Sequence, residues 1–307
     1  MGKAPVVGKG RFLIAVDVDG TLLDSEFEDV LRPREVAALQ AAREAGHVVA
    51  LCTGRNSRSV AGLLDRCDPL LADLPLVLLN GAVVVGGEPR RRLAHRTLDR
   101  ATLSRLVALF RAHGALPMVY DTDDRDGVLH HEAGNANSVL ARYLDRRRAT
   151  VGAINVVDDL ESALPDEALE VGTIDREELV LRLTAAIEQE LGHVVRVVNT
   201  ESLLSRERYR WAEVYHRDCG KGAGAVLLAA AYGIPRQRIV ALGDNYNDLD
   251  LFAVAGYSVA MGNAPAPVRA AADRVAPTVQ ASGGAMVLEE IAAGRYPPSP
   301  AGEERTR

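Results

Sequence analysis

Short apolar runs alternate with amphipathic segments over the first eighty residues of the chain. Residues 12–16 and 47–51 are mostly apolar runs of the length of a buried strand, and residues 76–79 repeat the pattern. Between them, Pro33 opens an Ala-rich segment closed by a glycine, which is typical of a helix, and residues 60–64 indicate a second helix. This β-α-β-α-β order predicts a parallel sheet covered by helices.

The same alternation returns in the last third of the chain. Two apolar runs there, at 239–242 and 258–261, predict strands. They alternate with three segments of helical pattern, at 221–232, 248–254 and 268–272. Both parts fit one sheet, so we predict an α/β fold whose core is a doubly wound parallel sheet. Residues 1–86 and 213–307 are assigned to this core.

Residues 87–212 differ in character and are predicted to form an inserted α+β domain. A basic run at 90–92 and an acidic run at 121–126 fall in this region. Short apolar runs between helical segments predict four strands, at 118–120, 154–157, 169–174 and 194–198. We therefore expect the chain to leave the core sheet, build a second domain and return.

The acidic run has some features of a calcium-binding loop. Asp121 begins it, and Glu132 stands at loop position twelve. Arg125 and Asp126 occupy positions five and six, where a ligand and a glycine are needed. We therefore expect a solvated acidic turn and no calcium site.

Two pairs of neighbouring side chains in the insertion could face a substrate. His130 and His131 are adjacent, and a strand would point them to opposite faces, so at most one could do so. For Tyr209 and Trp211 we expect packing in a core in preference to lining a substrate pocket.

Composition and charge narrow the possible functions. The 36 Lys and Arg residues against 42 Asp and Glu give a net charge of −6, so a polyanion such as nucleic acid is not an expected partner. The sequence predicts no membrane span, and residues 12–16 are too short for the apolar part of a signal peptide. Cys52, Cys67 and Cys219 form no CxxC pair, which argues against structural zinc and favours a reducing, cytoplasmic location.

The first predicted strand ends at two carboxylates, in the sequence Asp17-Val18-Asp19-Gly20-Thr21-Leu22. Ligands of open α/β sheets bind beyond the carboxyl ends of the strands, so both acids would face a crevice. One carboxylate can attack phosphorus to give an aspartyl-phosphate, and the other can give a proton to a leaving alkoxide. Gly20 permits a turn whose backbone N–H groups could hold phosphate oxygens. The weaker interpretation is that the acids only form a turn.

Two further segments could contact an anion. Thr53 and Gly54 follow the second strand and could offer a hydroxyl and a close backbone, although a Thr-Gly pair alone more often marks an ordinary loop. Lys221, between Gly220 and Gly222, would add its charge to the dipole of the helix that follows. The alternative is a solvated lysine, and the chain has no GxxxxGK[ST] phosphate-binding loop.

A fourth segment, Gly243-Asp244-Asn245-Tyr246-Asn247-Asp248, follows a late strand. Carboxylate and amide groups there suit Mg²⁺, which prefers a few carboxylates, waters and a substrate phosphate. Asp248 could instead cap the following helix, and the two roles are compatible. Because Asp17 and Asp244 would repel a phosphate, the chemistry requires a metal ion.

In order and type, these segments resemble the four motifs of the haloacid dehalogenase (HAD) superfamily of phosphohydrolases. The resemblance extends to the Cof-type subfamily (class IIB), through Asn80-Gly81-Ala82, Gly220-Lys221-Gly222, Gly243-Asp244-x-x-Asn247-Asp248, Ala260-Met261-Gly262-Asn263-Ala264 and Ala272-Asp273. In that subfamily a C2 cap is inserted between the second and third motifs. The resemblance implies a Rossmann-like HAD core, and residues 87–212 match such a cap in size and α+β mixture alone.

The resemblance implies a catalytic role for four residues. Asp17 would be the nucleophile, and Asp19 the acid that later activates water. Thr53 and Lys221 would hold the phosphoryl group. Dehalogenation is disfavoured because a departing halide needs no proton, whereas Asp19 is the acid with which phosphatases protonate a leaving oxygen.

The resemblance also implies a Mg²⁺ site and substrate contacts. Mg²⁺ would bind the Asp17 carboxylate, the Asp19 backbone carbonyl and Asp244, while Asn247 and Asp248 would orient substrate or metal-bound water. The implied metal set is therefore Asp17, Asp19, Asp244 and Asp248, and the substrate-binding set is Gly20, Thr53, Gly54, Lys221 and Asn247. Asp24 and Glu26 match no essential role, so we interpret them as loop acids.

The implied activity is Mg²⁺-dependent hydrolysis of a small phosphorylated metabolite such as a sugar phosphate, through an aspartyl-phosphate. A phosphomutase or phosphotransferase of the same fold is one alternative. Another, from a different class, is a signalling switch that is phosphorylated on an aspartate without turnover. The acid at Asp19 and the large insertion argue against the switch.

Overall fold

The structure is a computed structural model that describes residues 10–25, 27–67, 71–121, 128–134, 136–147, 153–201 and 208–295. Its strands are β1 (Leu13–Val16), β2 (Val48–Cys52), β3 (Leu76–Leu78), β4 (Val83–Gly86), β5 (Arg91–His95), β6 (Leu98–Asp99), β7 (Met118–Tyr120), β8 (Val128–Glu132), β9 (Ala153–Val157), β10 (Glu167–Ala168), β11 (Glu170–Arg176), β12 (Val195–Glu201), β13 (Tyr209–His216), β14 (Ile239–Gly243), β15 (Tyr257–Ala260) and β16 (Arg274–Val275). Its α-helices are α1 (Pro33–Glu44), α2 (Ser57–Leu64), α3 (Arg100–Ala112), α4 (Ser138–Arg147), α5 (Glu177–Leu191), α6 (Lys221–Ala231), α7 (Leu249–Val254), α8 (Ala266–Ala271) and α9 (Gly283–Ala292).

Eight strands form the core sheet, in the order β16-β15-β14-β1-β2-β3-β4-β5. Neighbouring strands from β16 to β3 are parallel. On β1, Ile14 and Val16 face an apolar cluster shared with α1, while Leu13 and Ala15 face a second cluster shared with α6. Because both faces are covered, the strand is apolar throughout instead of alternating. The predicted α/β fold with a doubly wound parallel core is confirmed.

The sequence analysis predicts neither β4 nor β5, although both belong to the core sheet. β4 pairs antiparallel with both β3 and β5, so this end of the sheet is a meander. β5 is an edge strand on which Arg91 and Arg92 are exposed, and charged residues of this kind keep an edge from pairing with another chain. The basic run that we assigned to the insertion therefore lies in the core sheet.

The insertion forms a second sheet, in the order β12-β13-β11-β7-β8-β9. The four strands predicted within 87–212 are all present in it, and β13 continues to His216. With β5 in the core sheet and β13 in the second sheet, we propose that the inserted domain, called the cap below, spans about 96–216. One face of the cap sheet packs on α3 and α5, and the other carries α4 and faces the core.

The histidine pair and the aromatic pair of the insertion make contacts within the protein. His130 Nε2 lies 3.3 Å from Asp121 Oδ2, and His131 is buried with its Nδ1 bonded to the Glu132 carbonyl oxygen. Tyr209 is buried, and the indole of Trp211 packs against a buried cluster, as expected. Most of the acidic run, residues 122–126, lies outside the described residues, as do Glu26 and the two chain ends, so the expectation of an acidic turn stays a prediction.

Two findings bear on the predictions from composition. Cys52, Cys67 and Cys219 are all free, and Cys52 and Cys219 are buried. Within the described ranges, no helix has both the length and the apolar character needed to cross a membrane.

Candidate active site

The predicted site residues meet at the carboxyl edge of the core sheet. Asp17 directly follows β1, Thr53 follows β2 and Asp244 follows β14. Since these three strands are parallel neighbours, their carboxyl ends share one edge. Lys221, the first residue of α6, reaches the same edge with its side chain.

Three carboxylates are crowded together there. Asp17, Asp244 and Asp248 each offer an oxygen within 4.8 Å of the others. The structure therefore brings Asp17 and Asp244 close enough to share one cation. Like charges at this spacing repel each other, so the cluster depends on positive charge nearby.

Lys221 supplies one positive charge from a buried position. Its Nζ donates hydrogen bonds to Asp17 Oδ1 at 2.7 Å and Asp248 Oδ1 at 2.6 Å, and its side chain is 1% exposed. Burial alone would lower the pKa of this ammonium group, but the two carboxylates outweigh burial and raise it. Lys221 is therefore a fixed cation, and the alternative of a solvated lysine is wrong.

One lysine does not balance three carboxylates. Burial raises the pKa of Asp17 to about 7 despite Lys221, with Asp248 and Asp19 adding to the rise. Burial, Asp17 and Asp248 likewise raise the pKa of Asp244 well above its usual value. The buried Oδ1 of Asp244 has no hydrogen-bond partner among the described residues. The uncompensated charge and this free oxygen both fit a hard divalent cation such as Mg²⁺.

Asp248 has both of its oxygens engaged. Oδ1 accepts from Lys221, and Oδ2 accepts from the backbone N–H groups of Asp244 at 2.9 Å and Asn245 at 3.0 Å. Asp248 is thus the N3 residue of a capping box that begins at Asn245, and its side chain makes no capping bond to α7, so the predicted cap of the following helix is wrong. These contacts fix the loop and Lys221, and Oδ1 keeps a lone pair that a metal ion could also use.

Gly20 and Asn263 hold Asp244 in place. Gly20 has a φ of +83°, and a Cβ there would lie 2.1 Å from Asp244 Oδ2, so no larger residue fits. Asn263 Nδ2 donates to the Gly20 carbonyl oxygen at 2.9 Å and to Asp244 Oδ2 at 3.2 Å. The sequence analysis gave Asn263 no role, although it follows β15 at the same sheet edge.

Asp19 pairs with Arg55. The Arg55 guanidinium donates from Nε to Asp19 Oδ2 at 2.8 Å and from its NH2 nitrogen to Oδ1 at 2.6 Å. Burial would raise the pKa of Asp19, but the hydrogen bonds and charge of Arg55 outweigh burial and hold it below its ordinary value. Arg55 is a site residue to which the sequence analysis gave no role.

Three further residues were predicted to contact substrate: Thr53, Gly54 and Asn247. Thr53 is buried, and its hydroxyl oxygen accepts from the Arg55 backbone N–H at 3.1 Å, which leaves the hydroxyl hydrogen free to donate. Gly54 lies beside the side chain of Asn80. Asn247 donates from Nδ2 to Asn80 Oδ1 at 3.0 Å.

The face of the cap that meets the core carries a second polar group. The Tyr215 hydroxyl lies 3.1 Å from Glu170 Oε2 and 3.2 Å from Glu213 Oε1, and the positive charge of Arg147 acts on both acids. Burial raises the pKa of Glu170 to about 7; burial and then Glu170 raise that of Glu213 to about 8. Sequence reasoning missed this group because Glu170 lies on β11 and Glu213 and Tyr215 on β13, so only the pairing of the two strands brings them together.

These raised pKa values predict a pH-dependent stability. A carboxyl whose pKa is higher in the folded than in the unfolded protein contributes stability at low pH, and this contribution is lost as the pH rises through 7 and 8. We expect the free energy of unfolding to fall by about 1–2 kcal/mol more between pH 6 and 9 in the wild type than in Glu213→Gln, allowing for partial solvent contact. Urea denaturation at both pH values measures the difference.

Glu178→Gln is the matched control, because Glu178 lies on the surface of α5 with its side chain 85% exposed. This variant should show the wild-type pH dependence. An equal decline in Glu213→Gln and the wild type would contradict the assignment of the titration to the cap pair.

This fold and site define an α/β protein with a carboxylate-rich cluster at the carboxyl edge of a doubly wound sheet. Residues 14–288 match the family of haloacid dehalogenase-like hydrolases, so the chain belongs to that family. The resemblance to a Cof-type HAD phosphatase drawn from the motifs is thereby confirmed.

Individual relatives match over nearly their whole length. The chain is 28% identical over 301 residues to the 5-amino-6-(5-phospho-D-ribitylamino)uracil phosphatase YwtE of Bacillus subtilis (strain 168), covering 92% of this chain and 99% of the relative. It is 27% identical over 269 residues to the pyridoxal phosphate phosphatase YbhA of Escherichia coli (strain K12), covering 86% and 92%. The solved structure of the HAD subclass IIB sugar phosphatase BT4131 superposes with a TM-score of 0.73 at 21% identity, covering 91% and 98%, which shows the shared fold.

Proposed function

We propose that the protein is a Mg²⁺-dependent phosphomonoester hydrolase that acts through an aspartyl-phosphate on Asp17. The supporting observation is the buried cluster in which Lys221 bridges Asp17 and Asp248 beside Asp244. The cluster keeps an excess of negative charge, which a dianionic phosphate could approach only with a divalent cation present. When bound to Asp17, Asp244 and the Asp19 carbonyl, Mg²⁺ would supply that neutralisation.

Asp17 and Asp19 carry out the nucleophilic attack and the proton transfers. An Asp17 oxygen attacks phosphorus, and the bond from phosphorus to the leaving oxygen breaks as Asp19 donates a proton to that oxygen. Asp19 then takes a proton from water, whose oxygen attacks phosphorus and frees Asp17 and inorganic phosphate. Lys221 and the Thr53 hydroxyl orient the phosphoryl oxygens.

Arg55 fits the two states that Asp19 must adopt. Its bidentate contact favours ionised Asp19, which is the form that accepts a proton from water. A bound phosphate dianion opposes the charge of Arg55 and favours protonated Asp19, which is the form needed when the leaving group departs. The charge of the substrate thereby sets the protonation state that each step needs.

Asp19→Ala should therefore discriminate between leaving groups. We expect kcat/KM, which reports the step that releases the leaving group, to fall about tenfold or more further for an alkyl phosphate than for p-nitrophenyl phosphate, whose leaving group departs without a proton. Steady-state phosphate release from both compounds measures the two losses. Asp24→Ala is the control, and equal losses for both substrates in Asp19→Ala would contradict the acid role.

We propose that the substrate is a small phosphorylated metabolite, and sugar phosphates are the first class to test. Two relatives are named for a phosphorylated ribityl compound and for pyridoxal phosphate, so both belong in the same panel. Comparison of kcat/KM across the panel, with and without Mg²⁺, identifies the preferred class. Phosphoryl transfer to a second sugar would favour a mutase, and a stable phospho-protein without turnover would favour a switch.

A further inference from the structure

A strained turn lies at the centre of the candidate site. Leu79 and Asn80 both have a φ of +47°, in the left-handed region that non-glycine residues avoid, and Gly81 follows with a φ of +95°. Leu79 and Asn80 are almost fully buried. Backbone strain of this kind persists only where surrounding contacts enforce it, and it concentrates at functional sites.

The turn touches three of the segments that build the site. The Asn80 N–H donates to the Thr53 carbonyl oxygen at 3.1 Å, and Asn80 Oδ1 accepts from Asn247. A Cβ on Gly81 would lie 2.3 Å from the carbonyl oxygen of Gly220, the residue before Lys221. The left-handed turn therefore lets Asn80 bond to the Thr53 and Asn247 segments while Gly81 packs against the residue before Lys221.

Asn80 also bonds to the cap. Its Nδ2 donates to the Tyr215 hydroxyl at 3.2 Å. That hydroxyl lies beside the Glu170 and Glu213 carboxylates, so it can donate its single hydrogen to an acid while accepting from Asn80. The two partners fix the orientation of the Asn80 amide, because its oxygen must face the Asn247 donor and its nitrogen must face the Tyr215 hydroxyl.

Tyr215 belongs to a row of cap residues that contacts the core. In the pairing of β12, β13, β11 and β7, Arg196, Tyr215, Glu170 and Tyr120 lie side by side on one face of the sheet. Arg196 bonds to Asp250, and the Tyr120 hydroxyl accepts from Asn56. Within this row, Tyr215 is bonded through Asn80 to a residue predicted to contact substrate.

We propose that Tyr215 and Asn80 are positioning residues that hold Asn247 at the catalytic edge when the cap is seated on the core. The chain of hydrogen bonds from Tyr215 through Asn80 to Asn247 is called the Asn80 relay. The inference rests on the proposed phosphatase function. Through the relay, the seating of the cap sets the orientation of Asn247 toward substrate or water.

A double-mutant cycle tests the relay. Tyr215→Phe keeps the ring and removes the hydroxyl, and we expect kcat to fall about 5–20-fold, the effect of a lost buried hydrogen bond. Asn247→Ala should lower kcat by about tenfold or more. If both act through one path, the double variant should lie within about twofold of the worse single variant. Tyr232→Phe is the matched control, because its hydroxyl reaches only the Gly87 carbonyl oxygen among the described residues.

A second pair of variants separates positioning from stability. Asn80→Gly and Asn80→Ala both delete the amide, but glycine accepts a φ of +47° whereas alanine is strained there. We expect Asn80→Gly to melt a few degrees higher than Asn80→Ala while both lose the same activity, about tenfold or more. Activity that recovers in Asn80→Gly together with the melting temperature would overturn the relay.

The outcomes also separate the relay from the function on which it rests. Independent, multiplying losses in Tyr215→Phe and Asn247→Ala, in an enzyme with Mg²⁺-dependent phosphatase activity, overturn the relay alone. A wild-type protein that releases no phosphate from any phosphomonoester overturns the proposed function and the relay with it.

Discussion

Asp17→Asn is expected to abolish turnover, lowering kcat by about 10⁴-fold or more, because the amide cannot attack phosphorus. The fold should persist. Asparagine has the same shape, and its neutral side chain avoids the cost of a buried charge, since burial and then Asp248 raise the pKa of Asp17 to about 7. Lys221 keeps its bond to Asp248. Phosphate release and thermal melting of the same preparation measure the two expectations.

Asp24→Asn provides the matched control for this variant. Asp24 is a loop acid that follows the same strand, and its Oδ2 accepts a hydrogen bond from Gln280. It should keep wild-type activity. Wild-type turnover in Asp17→Asn would remove Asp17 from the role of nucleophile, and loss of activity together with the folded state would make the experiment a measurement of stability only.

How far the fold could be predicted depended on burial. The parallel strands β1, β2 and β14 are covered on both faces, so their continuous apolar runs are visible in the sequence. β5 is an edge strand with exposed Arg91 and Arg92, and its two apolar residues, Leu93 and Ala94, are too few to make a clear pattern. Because β5 belongs to the core sheet, we propose a later start for the inserted domain than the sequence predicts.

Some residues of the candidate site could be predicted from the sequence and others could not. Asp17, Thr53 and Asp244 could be brought together from the sequence because each follows a parallel strand, and such strands end at one edge. The pairing of Arg55 with Asp19 depends on the course of a loop, which hydropathy does not encode. The approach of Tyr215 to Glu170 depends on the register of the cap sheet, and its contact with Asn80 depends on how the cap sits on the core.

Lys221→Met is expected to affect both activity and stability. The methionine fills a similar volume, but Asp17 and Asp248 lose their shared cation in a buried place. Removing one partner of a buried ion pair costs about 3–5 kcal/mol, so we expect a loss of that order at pH 8.5 without divalent cations. kcat/KM should fall by about 10³-fold, since the phosphoryl group loses a positive charge.

The stability loss of Lys221→Met should depend on pH in a defined direction. Without the ammonium group, the pKa of Asp17 rises further above its value in the unfolded chain, so the protonated carboxyl is favoured in the folded protein. Stability from such a group is present at low pH and is lost as the pH rises through the folded-state pKa. Urea denaturation should therefore show a small loss at pH 5.5 and the full loss at pH 8.5.

A second substitution supplies the internal control. Adding Asp17→Asn to Lys221→Met removes one of the two uncompensated carboxylates, so the double variant should be more stable than Lys221→Met alone at pH 8.5. Added Mg²⁺ should also restore part of the stability of Lys221→Met, because Asp17 and Asp244 would still offer it oxygens. Equal losses at both pH values, with no rescue by either change, would show that Lys221 acts by packing and not by charge.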